Sequence, residues 1–120
     1  MILANYISGE WKRGTGEGTP LIDPVNGEHL AHASSGGLDL AQALEFSRER
    51  GTRSLQKITY QQRAELLSRI AEVLTEHRDR YYEICLRNMG ATKGDAAFDV
   101  DGAIYTLSSM AERARASRVK

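Results

Sequence analysis

The sequence predicts an α+β chain: short N-terminal antiparallel strands followed by about four α-helices. Seven of the 11 glycines fall within residues 1–37, as turn-rich strand segments require. Apolar residues beyond that point recur at alternating spacings of four and three, the period of a helix with one buried face. The texture changes near Gly37, giving a strand-rich segment 1–37 and a helical segment 38–120.

In the first segment, Tyr6-Ile7 and Trp11 flank Ser8-Gly9, which reads as a hairpin. Leu21-Ile22-Asp23 and the run Glu28 to Ala33 flank Pro24-Val25-Asn26-Gly27, whose Asn-Gly pair favours a tight turn. Between the two pairs lies Gly14-Thr15-Gly16-Glu17-Gly18. It is not GxGxxG, follows no long apolar strand and opens no helix, so it reads as a flexible turn rather than a phosphate cradle.

Asp39, with Gln42 three positions on, reads as the cap of a first helix whose narrow face is Leu40, Ala43, Leu44 and Ser47, ending at Gly51. Thr59-Tyr60-Gln61-Gln62 fits a capping box, and Tyr60, Ala64, Leu67, Ala71 and Leu74 form the apolar face of the helix that follows. Glu65 and Arg69 stand at i, i+4 in the favourable order on its outer side, an ordinary solvated pair. From about His77, Tyr81, Tyr82, Cys85 and Met89 line one side of a third helix that Gly90 can end in a left-handed cap. Asp95 then caps a long helix carrying Val100, Ile104, Leu107, Ala111 and Ala114.

Composition excludes several classes of partner. Lys plus Arg balances Asp plus Glu at 16 each, so no net field draws the chain toward nucleic acid or anionic lipid. The basic tail of Arg113, Arg115, Arg118 and Lys120 suits a helix C-terminus. No apolar run approaches the roughly 20 residues of a membrane span, and Met1 to Tyr6 shows no secretory pattern. A lone cysteine, Cys85, excludes an internal disulfide and any multi-cysteine metal site, pointing to a soluble protein in the reducing cytoplasm.

Three groups of residues raise a chemical question. As a nucleophile, Cys85 needs a neighbouring base and an electropositive pocket, which the sequence supplies at no recognisable spacing; it reads as a core residue. His29 and His32, at i, i+3 on a regular strand, point to opposite faces and converge on one ion only through a bulge; they, like His77, read as surface residues. Asp95, Asp99 and Asp101, near Gly94 and Gly102, lack the glycine and terminal glutamate placement of a calcium loop and read as helix-start acids.

Taken in order, Tyr6-Ile7-Ser8-Gly9-Glu10-Trp11, Asp23-Pro24-Val25-Asn26-Gly27-Glu28 and Gln62-Arg63-Ala64-Glu65-Leu66-Leu67 resemble the opening of the aldehyde dehydrogenase superfamily. That opening reads roughly Y-I-N-G-E-W, N-P-x-T-G-E and E-R-A-x-x-L, and the resemblance runs from Tyr6 to Ala114. The family's E-T-G-K turn appears here as Asn88-Met89-Gly90-Ala91, followed by Thr92-Lys93-Gly94-Asp95 and Asp99-Val100-Asp101-Gly102-Ala103-Ile104. This stretch is similar to the branch of semialdehyde dehydrogenases in phenylacetate and benzoate degradation, which oxidise CoA-linked semialdehydes with NADP or NAD.

The resemblance implies that the chain starts one incomplete aldehyde dehydrogenase domain. It also implies the mechanism: a cysteine thiolate attacks the aldehyde, hydride passes to nicotinamide, and a glutamate-activated water cleaves the thioester, with an asparagine and a backbone N–H holding the oxyanion. In the family all of these groups, and the G-x-T-x-x-G cofactor turn, come beyond the position matching Lys120. No catalytic, cofactor-binding or metal-binding residue is therefore assigned here, Cys85 included, and no cofactor is expected for this chain alone. Some family members hold a monovalent cation at positions matching Leu21 or Ile22 and Asn88; a neutral amide in place of the family's acid removes charge that would favour the ion. The expected partners are a second copy or the remainder of the dehydrogenase, with no nucleic acid and no membrane. The competing expectation is a non-catalytic helical module that recognises a partner through its apolar stripes.

Overall fold

The computed structural model describes residues 1–117 and divides into two compact units, Met1–Ser54 and Leu55–Lys120. In the first unit β1 (Ala4–Ile7) pairs antiparallel with β2 (Glu10–Arg13), and β3 (Thr19–Ile22) pairs antiparallel with β4 (His29–Ala33). Both pairs are the hairpins expected from the turn residues. Ile7 faces Glu10 across a two-residue loop, Ser8 at φ 54° and Gly9 at φ 87°, the positive values that a primed hairpin turn demands. The second turn is knotted by its own side chains: buried Asp23 accepts from the Val25 amide at 2.9 Å, and Asn26 Oδ1 accepts from the Glu28 amide at 2.8 Å.

Helix α1 (Leu40–Phe46) starts where expected, with the Asp39 carboxylate accepting from the Gln42 amide at 2.8 Å. It does not stop at Gly51. A π-helical stretch, Ser47–Thr52, carries the chain into α2 (Arg53–Gln56), and Gly51 never takes the left-handed conformation a terminal glycine needs. The Gly51 terminator expected from the sequence is corrected to a wide turn inside continuing helix.

Three helices build the second unit: α3 (Tyr60–Glu76), α4 (Arg78–Met89) and α5 (Lys93–Ala116). The Thr59–Gln62 capping box opens α3 with both reciprocal bonds present. Gly90, at φ 64°, closes α4 as a left-handed cap. The start of α5 differs from the sequence expectation. Thr92 is the cap and accepts from the Asp95 amide at 3.2 Å, while Asp95 occupies the third helical position and accepts from the Thr92 hydroxyl at 2.7 Å. An acid there favours the helix N-terminus through the dipole rather than by capping.

The helical core is made of alanines. Ala64 and Ala71 of α3 and Ala96 and Ala111 of α5 are buried, and these two helices make the most extensive contact in their unit. They run antiparallel, since Ser68 lies against Arg115 while Leu74 shares a groove with Val100 and Ile104. Tyr81, Tyr82 and Cys85 are half-buried on α4, but Met89 is 60% exposed, so the expected α4 face stops one turn short of Gly90. Arg118 and Lys120, part of the basic tail, lie outside the described residues.

Candidate functional site

The residues with chemical potential are dispersed over both units. In the first unit, the glycine tract is held down by backbone bonds. The Thr15 amide donates to the Gly36 carbonyl at 2.8 Å, and the Thr15 carbonyl accepts from the Ser34 hydroxyl at 2.6 Å. A side chain at Gly14 would run into the Ser34 carbonyl, so glycine is required there by close backbone approach and not by a ligand.

His29 and His32 depart from expectation. Their rings lie side by side with centroids 4.4 Å apart and planes tilted by 48°. The cause is a register shift: Leu21 opposes Ala31 and Ile22 opposes His29, leaving Leu30 as an unpaired extra residue in β4. Because His32 opposes Pro20 and His29 opposes Ile22, two positions apart on β3, both imidazoles stand on one face. The opposite-face reading holds for a regular strand, and this strand is bulged.

In the second unit, Cys85 is a half-buried free thiol on α4. The aspartates at the start of α5 do separate work. Asp95 supports the helix start, Asp99 borders a groove, and Asp101 ties α4 to α5 by accepting from the Tyr82 hydroxyl at 2.8 Å, with Arg78 at 3.8 Å. Partial burial, then the hydrogen bond to Asp101 and its negative charge, raise the Tyr82 phenol above its ordinary value, with Arg78 pulling the other way. Asp101 is thus an interhelical anchor. Among the described residues, no three His, Cys, Asp or Glu side chains come together to hold a metal ion. The exposed Asn88 amide donates back to the Ile84 carbonyl of its own helix at 3.0 Å.

Among the described residues of the helical unit, three open grooves are distinguished by their linings. One, of about 550 Å³, lies between α3 and α5 and is bordered by Glu72, Glu76 and Glu112, with Arg115 Nη2 donating to the Ser68 hydroxyl at 2.7 Å. A second, of about 290 Å³, is lined by Leu74, Tyr81, Val100 and Ile104. The third, also about 290 Å³, follows the outer face of α3 along Leu66, Ile70 and Val73. Cys85 borders none of them. Tyr81 and Asp99 border the second groove and Arg69 the third, but both are walled mainly by aliphatic side chains, so their chemistry is that of contact surfaces. No described helix is long and apolar enough to cross a membrane.

Comparison with known proteins gives this architecture a context. The family model described as "Aldehyde dehydrogenase family" matches residues 11–119. A 3,4-dehydroadipyl-CoA semialdehyde dehydrogenase of Aromatoleum evansii is 53% identical over 116 residues, 97% of this chain but 22% of that protein. The crystal structure of an NAD-dependent benzaldehyde dehydrogenase from Corynebacterium glutamicum superposes with a TM-score of 0.82 at 19% identity, covering 94% of this chain and 25% of that one. That second likeness establishes the fold. The chain spans about a quarter or less of the length of these relatives.

Proposed function

The chain belongs to the aldehyde dehydrogenase family, and from that premise we propose that it is the N-terminal part of an NAD(P)-dependent dehydrogenase acting on a CoA-linked semialdehyde in the breakdown of aromatic compounds. The observation that carries this reading is the 53% identity to the A. evansii enzyme along 97% of the chain. Within the proposal, these 120 residues supply scaffold and contact surface, and the nucleophile, general base and dinucleotide site belong to the remainder of the polypeptide. The cation-binding arrangement of some family members has no acid at Asn88 to support it. A cytoplasmic, oligomeric parent enzyme is part of the same proposal.

The test compares the purified 120-residue chain with the protein translated from the full coding sequence. Each is supplied with a CoA-linked semialdehyde and NADP or NAD, and absorbance of the reduced nicotinamide is followed. The longer protein should turn over and the 120-residue chain should not. Aldehyde-dependent reduction by the short chain, free of contaminating enzyme, would refute the assignment.

A second reading is a non-catalytic helical interaction or oligomerisation module. It is favoured by the exposure of Leu66, Ile70 and Val73 in one row along α3, each about half accessible. A monomeric, cooperatively folding chain that captures neither a copy of itself nor a longer relative would count against it.

A further inference from the structure

We propose that His29 and His32 form a two-imidazole chelating site for a borderline divalent cation such as Zn²⁺, created by the bulge in β4. The sequence alone argues against it, because i, i+3 residues on a regular strand diverge. The extra residue, Leu30, cancels that divergence and sets both rings over the same face of β3, above Pro20 and Ile22. Neither partner on β3 carries a charge or a donor that would occupy the imidazole nitrogens.

The spacing fits the chemistry. A metal at about 2.1 Å from an imidazole nitrogen stands about 3.2 Å from the ring centre, so two imidazoles have centres about 5.2 Å apart on a tetrahedral ion and about 4.5 Å apart at a right angle on an octahedral ion, a geometry open to Zn²⁺, whose filled d shell imposes none, when water completes its coordination. The observed separation is 4.4 Å. The backbone beneath is well fixed: the His32 amide donates to the Met1 carbonyl at 2.9 Å, and the His32 carbonyl accepts from the Leu3 amide at 2.8 Å. No third His, Cys, Asp or Glu joins them among the described residues, so water fills the other coordination positions. Imidazole donors select Zn²⁺, Ni²⁺ and Cu²⁺ over Mg²⁺ and Ca²⁺, which require oxygen ligands.

Calorimetric titration of the 120-residue chain with Zn²⁺ tests the site. One ion per chain is expected, with affinity falling about tenfold or more in His29→Ala and likewise in His32→Ala, and unchanged in His77→Ala and Cys85→Ser. His29 is exposed, so its replacement leaves the fold intact, which circular dichroism checks. Imidazole proton resonances of His29 and His32 should shift together on addition of Zn²⁺ and stay in place with Mg²⁺. The proposal is overturned by absence of saturable binding up to about millimolar Zn²⁺, by an affinity in either single-histidine variant that matches the native chain, or by loss of binding in Cys85→Ser.

Discussion

Among the described residues, Ser8 alone of the non-glycines sits at positive φ, 54°, where a β-carbon is crowded. Asparagine tolerates that conformation better, so Ser8→Asn should stabilise the chain by about 0.5 kcal/mol and Ser8→Val should destabilise it by about 1–2 kcal/mol. Urea midpoints of the two variants check the order, and equal midpoints would mean that the turn is not held in this conformation. Tyr82 makes a prediction at alkaline pH. Its phenol is raised above the ordinary 10.0, so folding favours the protonated form. That contribution is fully present below the unfolded value and is lost as pH rises through the raised one. Stability should therefore fall above pH 10 in the native sequence, and Tyr82→Phe should remove part of that alkaline slope. An unchanged slope in Tyr82→Phe would locate the titration elsewhere.

In the helical unit, methyl groups substitute for the larger side chains of an ordinary core: Ala64 and Ala96 are fully buried and Ala111 is 1% exposed. Small residues let the helix axes approach, and a larger one forces them apart. Ala96→Leu should cost about 1–3 kcal/mol through overpacking, whereas Phe98→Ala, at a position 82% exposed, should change stability by less than about 0.5 kcal/mol. Thermal or urea unfolding separates the two, and a tolerated leucine at position 96 would disprove close approach. These elements were largely legible in the sequence where the determining signal is local. The Thr59 capping box, the Gly90 terminator and the four-and-three repeat of α5 appear as read, and that of α3 does so from Ala64 on, its first member Tyr60 being exposed. The Thr92 cap was also within reach, since Thr92 and Asp95 stand at the i, i+3 spacing of a capping pair. The paired histidines were not, because strand register depends on where a partner slips, and nothing in His29 to Ala33 alone records the shift at Leu21 and Ile22.

The helical unit leaves large apolar side chains exposed, among them Leu66, Ile70, Val73 and Tyr105. A chain with such faces should enhance the fluorescence of an apolar dye such as ANS even when natively folded, and, on the function proposed above, a longer dehydrogenase chain that contains these residues should not. Dye binding that persists in such a longer protein would count against these faces being covered there. The π-helical stretch at Ser47–Thr52 bears on chain length itself. A π turn accommodates one more residue than the α turn it replaces, with the hydrogen-bonded spiral continuing on either side. Insertions and deletions between homologous genes should therefore collect at this wide turn, where a codon can be gained or lost by rewinding one loop of backbone, and should be scarce in the alanine-lined pair, where a single added residue would rotate every later methyl group out of its seam.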